Sequence, residues 1–167
     1  IRGEDHITNT AVQIQIFKAL SDKLPNFHHL SLLKTKEGEI SKRFGGFDIE
    51  SLREIGVDPM AINSLLTRLG SSLNVEPCLE LSELIDSFAM KNFSHSSIIY
   101  SEKDLLNLNR KIIVQRDFSD ISKILLEKNI NIEKDFWYLI RENISSYNEI
   151  SDWQKIFYGD FKLEDYN

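Results

Sequence analysis

The sequence predicts a mainly α-helical protein that opens with a short α/β segment, and three observations carry that reading. A capped helix with an apolar stripe is followed by a short apolar run of strand length, the order in which a parallel α/β sheet is built. From Asp48 onward the apolar residues recur at helical spacing almost to the end. The composition, 41% apolar and 28% charged over 167 residues, is that of a folded chain long enough to bury a core.

Each element has its own signal. Thr10 and Gln13 have the spacing of a capping box, Val12, Ile16 and Leu20 then fall on one face, and Pro25 ends the helix. Phe27 to Leu33, FHHLSLL, reads as a buried strand running into the polar loop KTKEG. Asp48 caps a helix that turns Leu52 and Ile55 inward and exits at Gly56. Asp58 and Pro59 open the next helix, whose Ile62, Leu65, Leu66 and Leu69 form a stripe before Gly70, so the two make a helical hairpin. SSLNVEPC connects to a helix carrying Leu84, Ile85 and Phe88. NFSHSSIIYS is strand-like at Ile98 to Tyr100 but is read as an extended loop. Ser101 with Asp104 opens a helix through Leu105, Leu108 and Ile112. DFSDISKILLEKN, EKDFWYLIREN and EISDWQKIFYGDF follow as amphipathic helices, with charges clustered from Arg110 to Asp117 at a softer boundary.

Composition narrows the function. A net charge of -6 means that the surface as a whole does not advertise nucleic-acid binding, although a local basic strip can coexist with it. Cys78 stands alone, which excludes an internal disulfide and a cysteine zinc site and suits a reducing, cytoplasmic setting. No apolar run reaches the roughly 18 to 20 residues that cross a membrane, and no signal pattern opens the sequence. IRGEDH, without a methionine, reads as the start of a piece of something longer.

Several constellations have a plain reading beside a chemical one. His28 and His29 would point to opposite faces of a strand, so they read as structural histidines, and no metal is expected. Cys78 with His95 as nucleophile and base has no local support. Phe136, Trp137, Trp153, Phe157 and Tyr158 at helical spacing read as core rather than as base-stacking platforms. Lys103, Arg110, Lys111 and Arg116 could line one strip, either a solvated face or a phosphate contact. IRGEDHITNT sets Arg, Glu, Asp and His between a strand and a capped helix, the carboxyl-end crevice where α/β sheets bind ligands; a charged loop with a cap accounts for it as well.

RGEDHITNTAVQIQIFKAL (Arg2 to Leu20), FHHLSLL and ISKRFGG together, in that order, resemble the second half of the catalytic domain of bacterial glutamyl-tRNA synthetases, class I aminoacyl-tRNA synthetases. They follow the family pattern RGEDH-x-x-NT-x-x-Q and its version of the KMSKS loop. LREIGVDPMAINSLLTRLG (Leu52 to Gly70) is similar to the family's stem-contact helices, and Tyr100, Leu105, Leu108 and Asn109 match its F-x-x-x-x-L-x-x-LN pattern. The resemblance covers nearly the whole chain and is strongest before Gly70.

What it implies is an α/β remnant of a Rossmann-type catalytic domain with a KMSKS-like loop over residues 1–47. A stem-contact helical region over 48–115 and the first part of a helical anticodon-binding domain over 116–167 would follow. The implied function is that of a glutamate–tRNA ligase, which activates glutamate with ATP and transfers it to tRNA(Glu), with tRNA(Gln) left open. The KMSKS-like motif is Glu39, Ile40, Ser41, Lys42 and Arg43, with Ser41, Lys42 and Arg43 in the catalytic role. Lys42 would meet the ATP phosphates, where charge builds as pyrophosphate leaves. Ser41 and the backbone near Ile40 would hold the loop on ATP, Arg43 would fix the loop or meet phosphate, and Gly45 and Gly46 would let it close. Arg2 would grip the carboxylate of the amino acid, and Asp5 and Leu33 would lie near the adenosine. The tRNA contacts implied are Lys103, Arg110, Lys111 and Arg116. ATP is a substrate accompanied by Mg2+, with no protein-bound metal or organic cofactor. The partners are tRNA(Glu), ATP and L-glutamate, without a membrane, and the molecule is a cytoplasmic monomer.

Two departures stand out. Glu39 occupies the place of the first KMSKS lysine, putting an anion where the family has a cation. The sequence also holds no HIGH motif, the family's first-half ATP motif, so on its own it is expected not to aminoacylate. Glutaminyl-tRNA synthetase, with β-barrels after the loop, and the truncated glutamyl-queuosine enzyme, without an anticodon domain, both conflict with the helical run after Phe47. From another class, the alternative is a stand-alone helical RNA- or protein-binding module that kept a synthetase relic; the acidic charge would then favour a protein partner.

Overall fold

The structure is a computed structural model that describes residues 1–35, 38–39, 48–94 and 96–159, without the side chains of 38 and 39. It is mostly helical. β1 (Arg2–Gly3) passes through a 3₁₀ turn (Glu4–His6) into α1 (Ile7–Leu20), and the chain returns as β2 (His29–Leu30), parallel to β1 with Arg2 opposite His29. This is the α/β unit expected from the sequence. In a second sheet, β3 (Leu33–Thr35) lies between β4 (Gly38–Glu39), antiparallel to it, and β5 (Ile98–Ile99), parallel to it.

The details differ from the sequence reading in ways that have physical causes. FHHLSLL is not one strand but two, in different sheets. Between them Ser31 is buried, with its hydroxyl donating to the Ser94 carbonyl, and this tether redirects the chain. Ile98 and Ile99, read as loop, are a strand because β3 offers them an edge. α1 starts at Ile7, one turn before the cap assigned to Thr10. Thr10 instead donates its hydroxyl to the His6 carbonyl at 3.0 Å and lies 2.8 Å from His29 Nε2, tying α1 to β2. The face bearing Val12, Ile16 and Leu20 is 55%, 54% and 80% exposed, not buried.

The helical part begins as predicted. The Asp48 carboxylate accepts from the Ser51 amide and caps α2 (Ile49–Glu54); Asp58 accepts from the Met60 amide and caps α3 (Pro59–Arg68). Gly56 and Gly70 leave these helices at φ +82, where a Cβ would be strained. Leu52, Ala61 and Leu65 join Tyr100, Leu105, Leu108 and Ile112 in a first core, while Ile55 and Leu66 stay outside it. α4 (Leu81–Ser87) buries Leu84 but leaves Ile85 and Phe88 exposed.

α5 (Glu102–Gln115) serves two cores. Ile112 belongs to the first and Ile113 to a second, since neighbours on a helix point about 100° apart. The second core gathers α6 (Phe118–Glu127), α7 (Lys134–Ile140) and α8 (Glu149–Tyr158) around Ile121, Phe136, Trp137, Ile140, Ile144 and Ile150. Each such fully buried side chain contributes about 1.5–3 kcal/mol. Trp153 packs partly on this core, whereas Phe157 and Tyr158, read as core, are exposed and stack on Phe136.

Between the two cores the contacts are polar. The loop after α7 lies along the α2–α3 turn, with the Tyr147 amide donating to the Gly56 carbonyl and the Asn148 side chain to the Glu54 carbonyl. Asn109 accepts from the Asp58 amide at 2.8 Å and donates to the Ser145 carbonyl at 2.6 Å.

Candidate functional site

The crevice at the carboxyl end of β1 and β2 is formed by the RGEDH turn. The Arg2 amide donates to the His28 carbonyl at 3.0 Å, which fixes the backbone of β1 while the side chain stays exposed. Gly3 follows, and a side chain there would push on the ends of two neighbouring side chains. A Cβ there would sit 2.5 Å from Asp5 Oδ1 and 2.9 Å from Leu32 Cδ2. Glu4 Oε1 accepts from the Leu32 amide at 3.4 Å, so the turn is fastened to the segment that enters β3. Asp5 Oδ2 lies 3.5 Å from His6 Nε2, and His6 Nδ1 lies 3.0 Å from the Asn9 side-chain nitrogen. His6, to which the sequence assigned no role, is thus held from both ring nitrogens.

Arg2 and Asp5 are exposed on β1 and the turn after it, and the Glu4 bond to the Leu32 amide fastens that turn just before the start of β3 at Leu33. A cation beside carboxylates at the end of parallel strands can hold an anionic ligand in a set orientation. Ile40, Ser41, Lys42 and Arg43, with Gly45 and Gly46, lie outside the described residues, as does the Glu39 side chain. The described backbone of β4 runs up to that segment from the β3 edge. Gly3 and Asn9 were not singled out from the sequence and were visible there only as letters of the RGEDH-x-x-NT pattern, while Thr10 was read only as a cap.

A cavity of about 330 Å³ lies on the other side of β2, lined by Ile7, Phe27, His28, Leu30, Met90 and Phe93 among others, and it holds none of the predicted ligand residues. His28 is exposed, and His29 Nε2 lies 2.8 Å from the Thr10 hydroxyl. Among the described residues no three His, Cys, Asp or Glu side chains are grouped to hold a metal. His95 lies outside the described residues. Cys78 is buried, donates to the Glu83 carboxylate and to the Glu80 carbonyl, and has its thiol pKa raised by burial and then by Glu83, the opposite of an activated nucleophile.

The basic strip divides. Lys103, Arg110 and Lys111 are exposed along one side of α5, at seven- and eight-residue spacing. Arg110 also donates to the Glu142 carbonyl at 2.9 Å. Arg116 does not extend the strip, because its guanidinium is turned inward onto Asp58 and its side chain is 13% exposed. The position reads as surface in sequence because it lies between two helices among other charges; its partner is 58 residues away.

Comparison with known proteins follows the same lines. The family model described as tRNA synthetases class I (E and Q), catalytic domain, matches residues 1–107. Glutamate–tRNA ligase 2 of Orientia tsutsugamushi (strain Boryong) is 46% identical over 160 residues, which is 95% of this chain and 36% of that protein. Glutamate–tRNA ligase 1 of Rickettsia akari (strain Hartford) is 43% identical over the whole chain and 38% of its own length. A crystal structure of a glutamate tRNA ligase from Elizabethkingia meningosepticum, in complex with its amino acid, superposes with a TM-score of 0.71 at 23% identity, over 93% of this chain and 37% of that one. That likeness shows the fold. The chain spans little more than a third of the length of the curated relatives it matches.

Proposed function

The chain belongs to the class I tRNA synthetases of the E and Q type, and from that premise we propose that it is the part of a glutamate–tRNA ligase that completes the amino-acid and ATP site and begins the tRNA-binding helices. The observation that carries this is the RGEDH turn at the carboxyl end of β1, with the Arg2 side chain exposed, in a chain 46% identical to a glutamate–tRNA ligase.

In this reading Arg2 holds the carboxylate of glutamate, and Asp5 and Leu33 border the adenosine. Glutamate's α-carboxylate attacks the α-phosphate of ATP, the bond to the β-phosphate breaks, and pyrophosphate leaves with the charge that Lys42 meets. Ser41, Arg43 and the Ile40 backbone hold that loop closed. Mg2+ would accompany the ATP phosphates. Transfer to tRNA(Glu) follows.

The division into a catalytic end at 1–47, a stem-contact region at 48–115 and an anticodon-side bundle at 116–167 is part of the same proposal, and the two buried cores on either side of Ile112 and Ile113 support it. A cytoplasmic monomer is the proposed form; no helix among the described residues is long and apolar enough to cross a membrane.

The test is glutamate-dependent exchange of labelled pyrophosphate into ATP, with tRNA(Glu) present, by the gene product that carries this chain. Exchange that needs glutamate and is lost in Lys42→Ala supports the reading. Exchange driven by another amino acid, or none, overturns it.

A further inference from the structure

One polar cluster is used by neither the crevice nor the basic strip. Asp58 is fully buried, and its carboxylate accepts from the Met60 amide, from Arg116 Nε and Nη2, and from the Tyr147 hydroxyl at 2.7 Å. These donors come from three places: the start of α3, the end of α5 and the loop before α8. Asn109 continues the cluster, joining the Asp58 amide to the Ser145 carbonyl. Two bodies with separate apolar cores and a small polar contact are expected to move against each other. Here the contact is made of directional bonds to one buried charge, so a rotation at the seam would break its bond to Tyr147 and leave it with only Arg116 and the Met60 amide. The exposed cations Lys103, Arg110 and Lys111 lie on α5, the helix both cores share, and Arg110 itself bonds across the seam to Glu142.

We propose that Asp58, Arg116, Tyr147 and Asn109 form a fixed joint that sets the angle between the α2–α3 hairpin and the α6–α8 bundle. They are positioning residues for an RNA that spans both bodies. The angle itself follows from the bonds above; the RNA rests on the function proposed in the preceding subsection.

The test labels Leu66→Cys on α3 and Lys123→Cys on α6 with spin labels, in a Cys78→Ala background, and measures the distance distribution between them. Tyr147→Phe removes one hydroxyl and Asp58→Asn the buried charge. The joint predicts a broadened and shifted distribution in Tyr147→Phe with helix content retained, and a larger change in Asp58→Asn. If Asp58→Asn does not fold, Tyr147→Phe decides alone. An unchanged distribution in Tyr147→Phe, or simultaneous loss of both cores, overturns the joint. A second arm reads RNA: Tyr147→Phe should weaken full-length tRNA(Glu) about tenfold while an acceptor-stem minihelix changes by less than about twofold. Equal losses for both RNAs overturn the positioning role. Failure of the unaltered chain to bind either RNA counts against the proposed function and against the RNA role, while the distance measurement still decides the joint.

Discussion

Arg116 and Asp58 meet as a two-point ion pair, Nε to Oδ2 and Nη2 to Oδ1 both at 3.1 Å, with no part of the Asp58 side chain exposed. Burial alone would lower the Arg116 pKa, but the hydrogen bonds and charge of Asp58 outweigh it and leave it raised. Removing one partner of such a pair leaves a buried charge uncompensated. Arg116→Met is expected to cost about 3–5 kcal/mol of stability. Arg116→Lys should recover only part of it, since an ammonium cannot reproduce the fork. Urea unfolding of the three proteins checks this; a loss under about 1 kcal/mol would return Arg116 to the surface strip.

Two buried tyrosines make the fold alkali-sensitive. Burial and then the Asp58 charge raise the Tyr147 hydroxyl, and burial followed by Glu102 pushes Tyr100 up to about 12. Above the ordinary tyrosine value near 10 the unfolded chain loses these protons while the folded chain keeps them. The stability these two tyrosines contribute is therefore constant below about pH 10 and falls as the pH rises toward the folded pKa values, by up to about 1.4 kcal/mol per pH unit for each tyrosine. Denaturant midpoints at neutral and alkaline pH should show this, with a shallower fall in Tyr147→Phe.

Thr10→Val keeps the shape of a buried side chain but removes the hydroxyl that links the His6 carbonyl and His29. The expected loss is about 1–3 kcal/mol, with Thr10→Ser close to the native protein. Thermal unfolding measures it. Equal losses in both variants would mean that packing, not the bond, holds α1 on β2.

In the proposed ligase, Lys42→Ala should lower the rate of ATP–pyrophosphate exchange by about 10²–10³. Glu39→Lys, which restores the charge expected at that place, should lower the KM for ATP. A KM unchanged or raised by Glu39→Lys would show that Glu39 points away from the triphosphate.

In the proposed ligase, the salt dependence of RNA binding should respond to the exposed cations and not to buried Arg116. Lys103→Ala and Lys111→Ala should each reduce the slope of log affinity against log salt by roughly 0.7–0.9. Slopes unchanged in both would assign the strip to solvent.

Much of this was legible in the sequence. Asp48, Asp58 and Ser101 announced their helices because capping is a local bond, closed within three residues. The strand, turn and helix around RGEDH were legible too, from the order of a short strand and a helical stripe. Burial was not. Val12, Ile16 and Leu20 make a correct helical stripe, yet nothing in the described chain covers it. Thr10 looked like a cap because its partner, His29, is 19 residues away.

By itself the sequence determined most of the helices, the caps of several of them and the family, through short-range patterns. Only the tertiary structure decided which charges face solvent and how the two cores are joined. Arg116 and Arg110 are alike in sequence, but the fold brings Asp58 and Tyr147 to one and leaves the other exposed beside the Glu142 carbonyl. A buried charge persists only where distant donors converge on it, and that convergence is a property of packing that no local pattern encodes.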